Sequence, residues 1–502
     1  MRVRAECLLA AGLLTAATGS GAQTAPLRLE KQIGSSLVVS DNLGGSGESR
    51  DRGAMLTVSP GFRLVGRSAS AQGSLNYTLN ALQPVRVHER PDRLQHSLNA
   101  NFSLAPIDTG FSLGVQAGIG RQSQSAFGLQ RPGVDGVRTG QLNQAEVYSL
   151  SVAPALQGRL GELARWTLTH RAAVTNTRDS IRGDNIGRDS SLVLADASPG
   201  LLSWNLRFSD SRSDPKAARE ISTQSAQFGL NWAPDVDWRF GAQLGRERSD
   251  LRSIERETRN TYGLSARWTP TPRTSLSLNA DDRVFGRTHG LVLEHRFARA
   301  SLRFSDSRSL SAPGVLGSIG SRTYYDLLFA QLAPVEPDPV ARDLLVRSQL
   351  QARGLNPDGI ATNGFISSRP ALTRLQALSG TWQTARSTWT LSGSRSVNTR
   401  FGAALEGFDD FADSNVLVLK ALSLSASYQL APASSLSAVL QWQRNTGERV
   451  ELGNSLRGVT LGWNASLGSQ RRFSVQLRHS LFQSLLRPYE ENALVMTLQQ
   501  QF

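Results

Sequence analysis

Residues 94–104 read Leu-Gln-His-Ser-Leu-Asn-Ala-Asn-Phe-Ser-Leu. Leu94, Leu98, Ala100, Phe102 and Leu104 fall in one phase, with His96 among them, and Ser97, Asn99, Asn101 and Ser103 in the other. A period of two is the signature of a β-strand with one apolar and one polar face. The same alternation returns in 202–208 (Leu202, Trp204, Leu206, Phe208), 262–268 (Tyr262, Leu264, Ala266, Trp268), 274–280 (Leu276, Leu278, Ala280) and 422–430 (Leu422, Leu424, Ala426, Tyr428, Leu430). Each run is long enough to cross a bilayer as a tilted strand. No apolar run is long enough for a helical span, which needs about 18 residues or more.

Two classes of connection alternate between the runs. One is tight and often carries proline, as at Ala105-Pro106, Ser198-Pro199-Gly200, Ala233-Pro234-Asp235, Pro270-Thr271-Pro272 and Ala431-Pro432-Ala433. The other is longer and polar, at 42–53, 84–92, 122–143, 178–188, 210–222, 247–258, 399–414 and 444–455. Short periplasmic turns and longer outer loops are the asymmetry of an outer-membrane barrel. The pattern predicts an all-β, antiparallel up-and-down transmembrane barrel of roughly 22 strands, both termini periplasmic. Pro60, inside a run at 54–66, predicts a bulge or a strand boundary there, because proline cannot donate to the ladder. Trp166, Trp204, Trp232, Trp238, Trp268, Trp382 and Trp389 lie near the tight turns, as an interfacial aromatic girdle would.

The ends of the chain read as targeting signals. Arg2 and Arg4 precede an apolar core from Leu8 to Ala17 and the small residues Ser20-Gly21-Ala22. This is a secretory signal peptide over 1–22, leaving 23–502 as the barrel. The single cysteine, Cys7, lies within it, so the mature chain is expected to hold no disulfide and no Cys-ligated metal. At the other end Leu494, Met496, Leu498 and Phe502 share a phase, and Phe502 is terminal. An alternating last strand ending in an aromatic residue resembles the signal read by the barrel assembly machinery; Gln500 departs from it.

The charge is +14, with 55 Lys+Arg against 41 Asp+Glu, and lysine occurs only at 31, 216 and 420. The arginines are scattered, which does not suit nucleic acid. Lipopolysaccharide phosphates or an acidic exopolysaccharide fit better, since guanidinium forks bind such anions. The octapeptide Leu-Arg-Phe-Ser-Asp-Ser-Arg-Ser occurs at 206–213 and again at 302–309.

Residues 310–371 interrupt the strand pattern. Tyr324, Leu328 and Leu332, with Tyr325 and Phe329, sit at helical spacing. Asp338-Pro339 then caps a second helix through Leu344, Leu345 and Leu350, with Gly354 as its stop. This insertion is expected on the outer side, as a cap or plug, or as a helical surface hairpin that touches neighbouring loops only. No catalytic or metal motif stands out among His88, His96, His170, His289, His295 and His479. His289 with Asp281 and Asp282 is the one hydrolase-like grouping, and Gly44-Gly45-Ser46-Gly47 lacks the lysine of a phosphate loop. A plugged, energy-coupled transporter is not expected, because the strand pattern starts near residue 33.

Several short motifs carry a family resemblance. They are Ser40-Asp41-Asn42, Ser59-Pro60-Gly61, Leu75-Asn76-Tyr77, Pro337-Asp338-Pro339 with Arg342, Gly354-Leu355 and Asn363-Gly364-Phe365-Ile366. With these, the chain resembles the outer-membrane proteins associated with PEP-CTERM/exosortase systems, which occur with exopolysaccharide loci. The resemblance implies a non-enzymatic barrel without cofactor, serving surface export as a pore or conduit, and transfers no site residues. The alternatives are an adhesive barrel that binds polysaccharide through Arg-rich outer loops and a rim-located hydrolase.

Overall fold

The computed structural model describes residues 27–45, 52–85, 93–131, 143–316, 325, 328–329, 332, 339–352, 364–402, 409–485 and 487–502. The signal peptide expected over 1–22 lies outside them, as do Tyr324, Asp338 and Gly354. Among the described residues twenty-four strands form one sheet. Two of these, β16 (Gly314–Leu316) and β17 (Phe365–Ser367), are three residues each and stand outside the wall. The flanking strands β15 (Ala300–Ser311) and β18 (Ala371–Gln383) pair directly with each other. That leaves 22 wall strands, the number read from the turn pattern. Closure is made by β1 (Arg28–Ser40) and β24 (Tyr489–Gln501), antiparallel from Gln32↔Gln501 to Ser40↔Ala493.

Alternation decides which side of the wall each residue faces. On β22 (Gly453–Ser466) Val459, Leu461 and Trp463 are exposed outward, while Asn454, Leu456, Thr460 and Asn464 are buried on the other side. Outward apolar side chains recur on strand after strand, among them Leu37, Leu56, Phe228, Leu264, Leu302, Leu378 and Leu440. Exposed in this number they would be untenable in water; in a bilayer they face acyl chains. The tryptophans near the tight turns point outward too. Trp238 stacks on Trp268 at 5.5 Å and on Phe240 at 5.3 Å, and Trp382 faces Trp389 across two strands. Trp463 joins this girdle near its turn, whereas Trp442 sits toward the outer end of β21 (Ser434–Thr446). Leu494, Met496 and Leu498 lie in the lipid-facing phase of β24, and the Phe502 amide donates to Lys31 O at 2.9 Å.

Two expectations are corrected. Pro60 causes no bulge: register is the same on both sides of it, and it pairs with Ile33 on β1 while leaving a gap in the ladder to β3 (Ala71–Val85). Pointing outward, it costs the sheet a hydrogen bond rather than a residue of register. The long polar loop expected at 178–188 is a tight turn between β7 (Ala164–Thr177) and β8 (Ser180–Asp196), with Asp179 at φ 58°. Polar sequence there belongs to paired strand that has left the apolar zone. A strand of 17 residues is longer than the bilayer requires, so its outer end alternates polar with polar.

Leu264 and Ser265 are neighbours on β12 (Glu257–Thr271) that face lipid and lumen respectively. Leu264→Arg should destabilise the folded barrel by about 2–4 kcal/mol, against roughly 1 kcal/mol or less for Ser265→Arg. Urea titration in lipid vesicles measures both; equal costs would contradict the assigned faces.

Candidate functional site: a lumen filled from one side

The insertion enters the barrel. Tyr325, Leu328, Phe329 and Leu332 lie on a helical turn closed by the Leu332 amide on Leu328 O at 2.8 Å. Pro339–Ala352 forms the helix α1. Leu328, Leu332, Val346 and Leu350 bury themselves together with Val439, which projects inward from β21; Tyr325, Phe329 and Leu345 pack at the edge. Val439 is nearer the tight-turn end of its strand than the outer end, so the insertion reaches deep. Each buried apolar side chain contributes roughly 1.5–3 kcal/mol, which an insertion lying in outer solvent would forgo. Of the sequence-derived candidates, the structure brings Tyr325, Leu328, Phe329, Leu332, Leu345 and Leu350 together. Leu344 lies on α1, and Tyr324 is outside the described residues.

An ionic knot that the sequence reading missed fastens this plug to the wall. Asp343 on α1 accepts from Tyr325 Oη at 2.5 Å and from Arg347 Nε at 2.9 Å. It also pairs with Arg63, which projects into the lumen from β2 (Gly53–Arg67). Arg63 in turn holds Glu30 of β1 at 3.1 Å. Arg342 and Arg347 lie over the rings of Phe329 (4.7 Å) and Tyr325 (5.1 Å). The i,i+4 spacing of Asp343 and Arg347 is visible in sequence; the partnership of Asp343 with Arg63 is not.

A second layer closes over the outer mouth. The connection after β5 (Phe111–Ser123) crosses the lumen: Ala126 O accepts from Asn445 Nδ2 at 2.7 Å and from Asn454 Nδ2 at 2.9 Å. Tyr489 Oη donates to Gln130 O at 2.8 Å. Ala126 packs with Phe365, Phe411, Ala371, Leu417 and Leu419. Phe365 belongs to β17, so the far end of the insertion joins this cap while its helical part descends. Asp409 binds Ser367 Oγ and Ser368 N at 3.1 Å each and faces Arg369 Nε at 3.6 Å. Asp410, at the start of the short helix α2 (Asp410–Asp413), accepts from the Ala126 amide at 2.6 Å. Burial, reinforced by neighbouring Asp409, pushes the Asp410 carboxyl up to about 6 although Ser125, Ala126 and Arg182 pull it down.

The opposite wall is left open. Inward-facing Arg171 on β7, Arg207 on β9 (Leu202–Pro215), Arg239 on β11 (Trp238–Ser249) and Arg267 on β12 are exposed, as is Ser265 between them. By contrast Ser425, Ser427, Ser435, Ser437, Thr460, Asn464 and Gln476, which face inward from the β20–β23 side, are buried. The plug is therefore off-centre. Arg239 and Arg267 stand directly opposite in register, a like-charge pair that an anion would relieve. The hydrolase-like grouping is not assembled: His289 Nε2 meets Asp306 at 3.2 Å on the outward face. Among the described residues no group of three or more His, Cys, Asp or Glu could hold a metal.

No protein-family model matches the chain, and no curated protein does. Among solved structures it is similar to the siderophore receptor PirA from Pseudomonas aeruginosa (11% identity, 95% of this chain and 80% of that one, TM-score 0.43). It is also similar to the FrpB iron transporter from Neisseria meningitidis in its apoprotein form (9% identity, 94% and 81%, TM-score 0.49). The ferric-catecholate import receptor Fiu from E. coli K12 gives 9% identity, 94% and 82% coverage, and a TM-score of 0.45.

Removing Asp343 strands Arg63 beside Glu30 and releases Arg347. Arg63 keeps Glu30 at 3.1 Å, so what is lost is charge-assisted hydrogen bonds, about 1.5–3 kcal/mol each. Asp343→Ala should therefore loosen the plug while leaving the barrel folded, seen as faster amide exchange in 339–352 with unchanged heat-modifiable mobility. Unchanged exchange would show that apolar packing alone holds the helix.

The raised carboxyl of Asp410 gives the cap a pH dependence. Closure binds a proton, so it is favoured as pH falls through about 6 and loses that support as pH rises above it. Channel openings in planar bilayers should become rarer between pH 7.5 and pH 5, conditions chosen to bracket about 6. Asp410→Asn should flatten the profile; an unaltered profile in that variant would assign the dependence to another group.

Proposed function

We propose that this outer-membrane barrel is a gated conduit for an acidic surface polymer, of the exopolysaccharide kind associated with PEP-CTERM/exosortase systems. The observation that carries this reading is the off-centre plug, which leaves Arg207, Arg239 and Arg267 exposed along the free wall. A polymer of uronate-like sugars carries carboxylates and hydroxyls. Guanidinium groups meet the former with paired hydrogen bonds. The neighbouring Ser265 and Asn279 suit the latter. A track of separated arginines binds each repeat weakly enough for the chain to advance, whereas one deep pocket would hold it. The cap and the plug then act as gates in series, and nothing in their chemistry calls for a reacting group. The short motifs shared with the exosortase-associated barrels support the same assignment, including Phe365-Ile366, which are buried in the cap.

The test is conductance of the purified full chain in planar bilayers. Replacing 315–365 by a short Gly/Ser link should raise single-channel conductance severalfold and make the pore anion-selective. In that background Arg207→Gln with Arg239→Gln and Arg267→Gln should abolish anion selectivity and block by polyglucuronate. An open pore with no preference between polyglucuronate and neutral dextran would reject the acidic cargo. No increase in conductance, with the barrel folded, would reject the gate and leave an adhesive surface barrel.

A further inference from the structure

The repeated octapeptide marks a boundary on the outer surface. In the second copy Leu302 and Phe304 lie in the lipid-facing phase of β15, and Asp306 and Arg308 continue that phase beyond them. The first copy does the same with Leu206, Phe208, Asp210 and Arg212 on β9. The outward face thus turns from apolar to charged within two residues, at the level where acyl chains give way to headgroups.

From β15 round to β22 that level is strongly basic. Arg308 of β15 stands directly opposite Arg374 of β18. Arg395 of β19 (Ser387–Arg400) stands opposite Lys420 of β20 (Val416–Ala431), and Lys420 opposite Arg444 of β21. Arg457 of β22 follows, opposite Trp442. Arg374, Arg395, Lys420, Arg444 and Arg457 are exposed. The carboxylate in this stretch of the row is Asp306, which holds Arg374 through Nε at 3.1 Å and Nη2 at 2.7 Å. Gln376 donates to Asp306 at 3.1 Å and accepts from Arg395 Nη1 at 3.3 Å. Like charges directly opposite on a sheet destabilise it, and here three such pairs stand along the band, Arg308–Arg374 displaced by two residues from Arg395–Lys420–Arg444. An anion with several oxygens offsets that repulsion and matches the guanidinium forks.

We propose that this row is a binding site for the phosphates of an outer-leaflet glycolipid, whose acyl chains lie on the apolar band beneath. Phe304, Leu378, Leu422 and Leu440 supply that band under the cations. The site is on the lipid side of the wall and is independent of the lumen and its cargo.

The test uses the full chain, delipidated in detergent and examined by native mass spectrometry with three probes: bis-phosphorylated lipid A, dephosphorylated lipid A and inorganic phosphate. The bis-phosphorylated form should be retained about tenfold more strongly than the dephosphorylated one, as charge-assisted contacts are lost with the phosphates. Combining Arg374→Gln, Arg395→Gln, Lys420→Gln and Arg444→Gln should erase that preference while the protein keeps its heat-modifiable mobility. If that variant does not fold, the comparison of the two lipids on the unaltered protein still decides. Equal retention of both lipids, an undiminished preference in the folded variant, or displacement of lipid A by millimolar inorganic phosphate would each overturn the proposal.

Discussion

A bilayer core offers no water to an unpaired backbone amide or carbonyl. A sheet that crosses it must therefore have no edge. Everything else here follows from the seam between β1 and β24, where the first and last strands complete each other's ladder. Closure forces alternation, because every wall residue must face either lipid or lumen. With so many strands it also forces a lumen too wide for wall side chains to fill. The chain answers with the loop between β15 and β18, sent inward and fastened, and with the crossing strap around Ala126.

Those two fillings are held differently. The deep plug combines an apolar cluster on Val439 with an ionic knot at Asp343, so loosening it requires both to yield. The cap is held by amide side chains on backbone carbonyls and by the buried side chains of Asp409 and Asp410, the latter with its carboxyl pushed up by burial. Apolar packing and ion pairs thus hold the deep element, and polar side chains on backbone groups hold the outer one.

The wall was legible because its constraint is local and repeated. Leu94 to Leu104 states its faces within eleven positions, and the prolines at the tight turns punctuate each hairpin. Helical spacing marks Tyr325, Leu328, Phe329 and Leu332 as one face, and those four side chains lie together in the apolar cluster on Val439. What periodicity could not supply was the partner. Arg63 and Asp343 are 280 positions apart, and nothing around either distinguishes them from other charges in an arginine-rich chain. Composition misled at 178–188, where polar residues suggested a loop but continue the ladder of β8 above the lipid. The strap at 124–131 looked like ordinary outer loop, since Ala126 contributes a carbonyl rather than a recognisable side chain.

The plug is tethered at both ends, to neighbouring strands that pair with each other along their length. Displaced from its seat, it stays within the reach of its own linkers instead of diffusing away. Rebinding is then intramolecular, at an effective concentration set by the length of chain that joins plug to wall. Return of a displaced plug is therefore independent of how much protein the membrane holds.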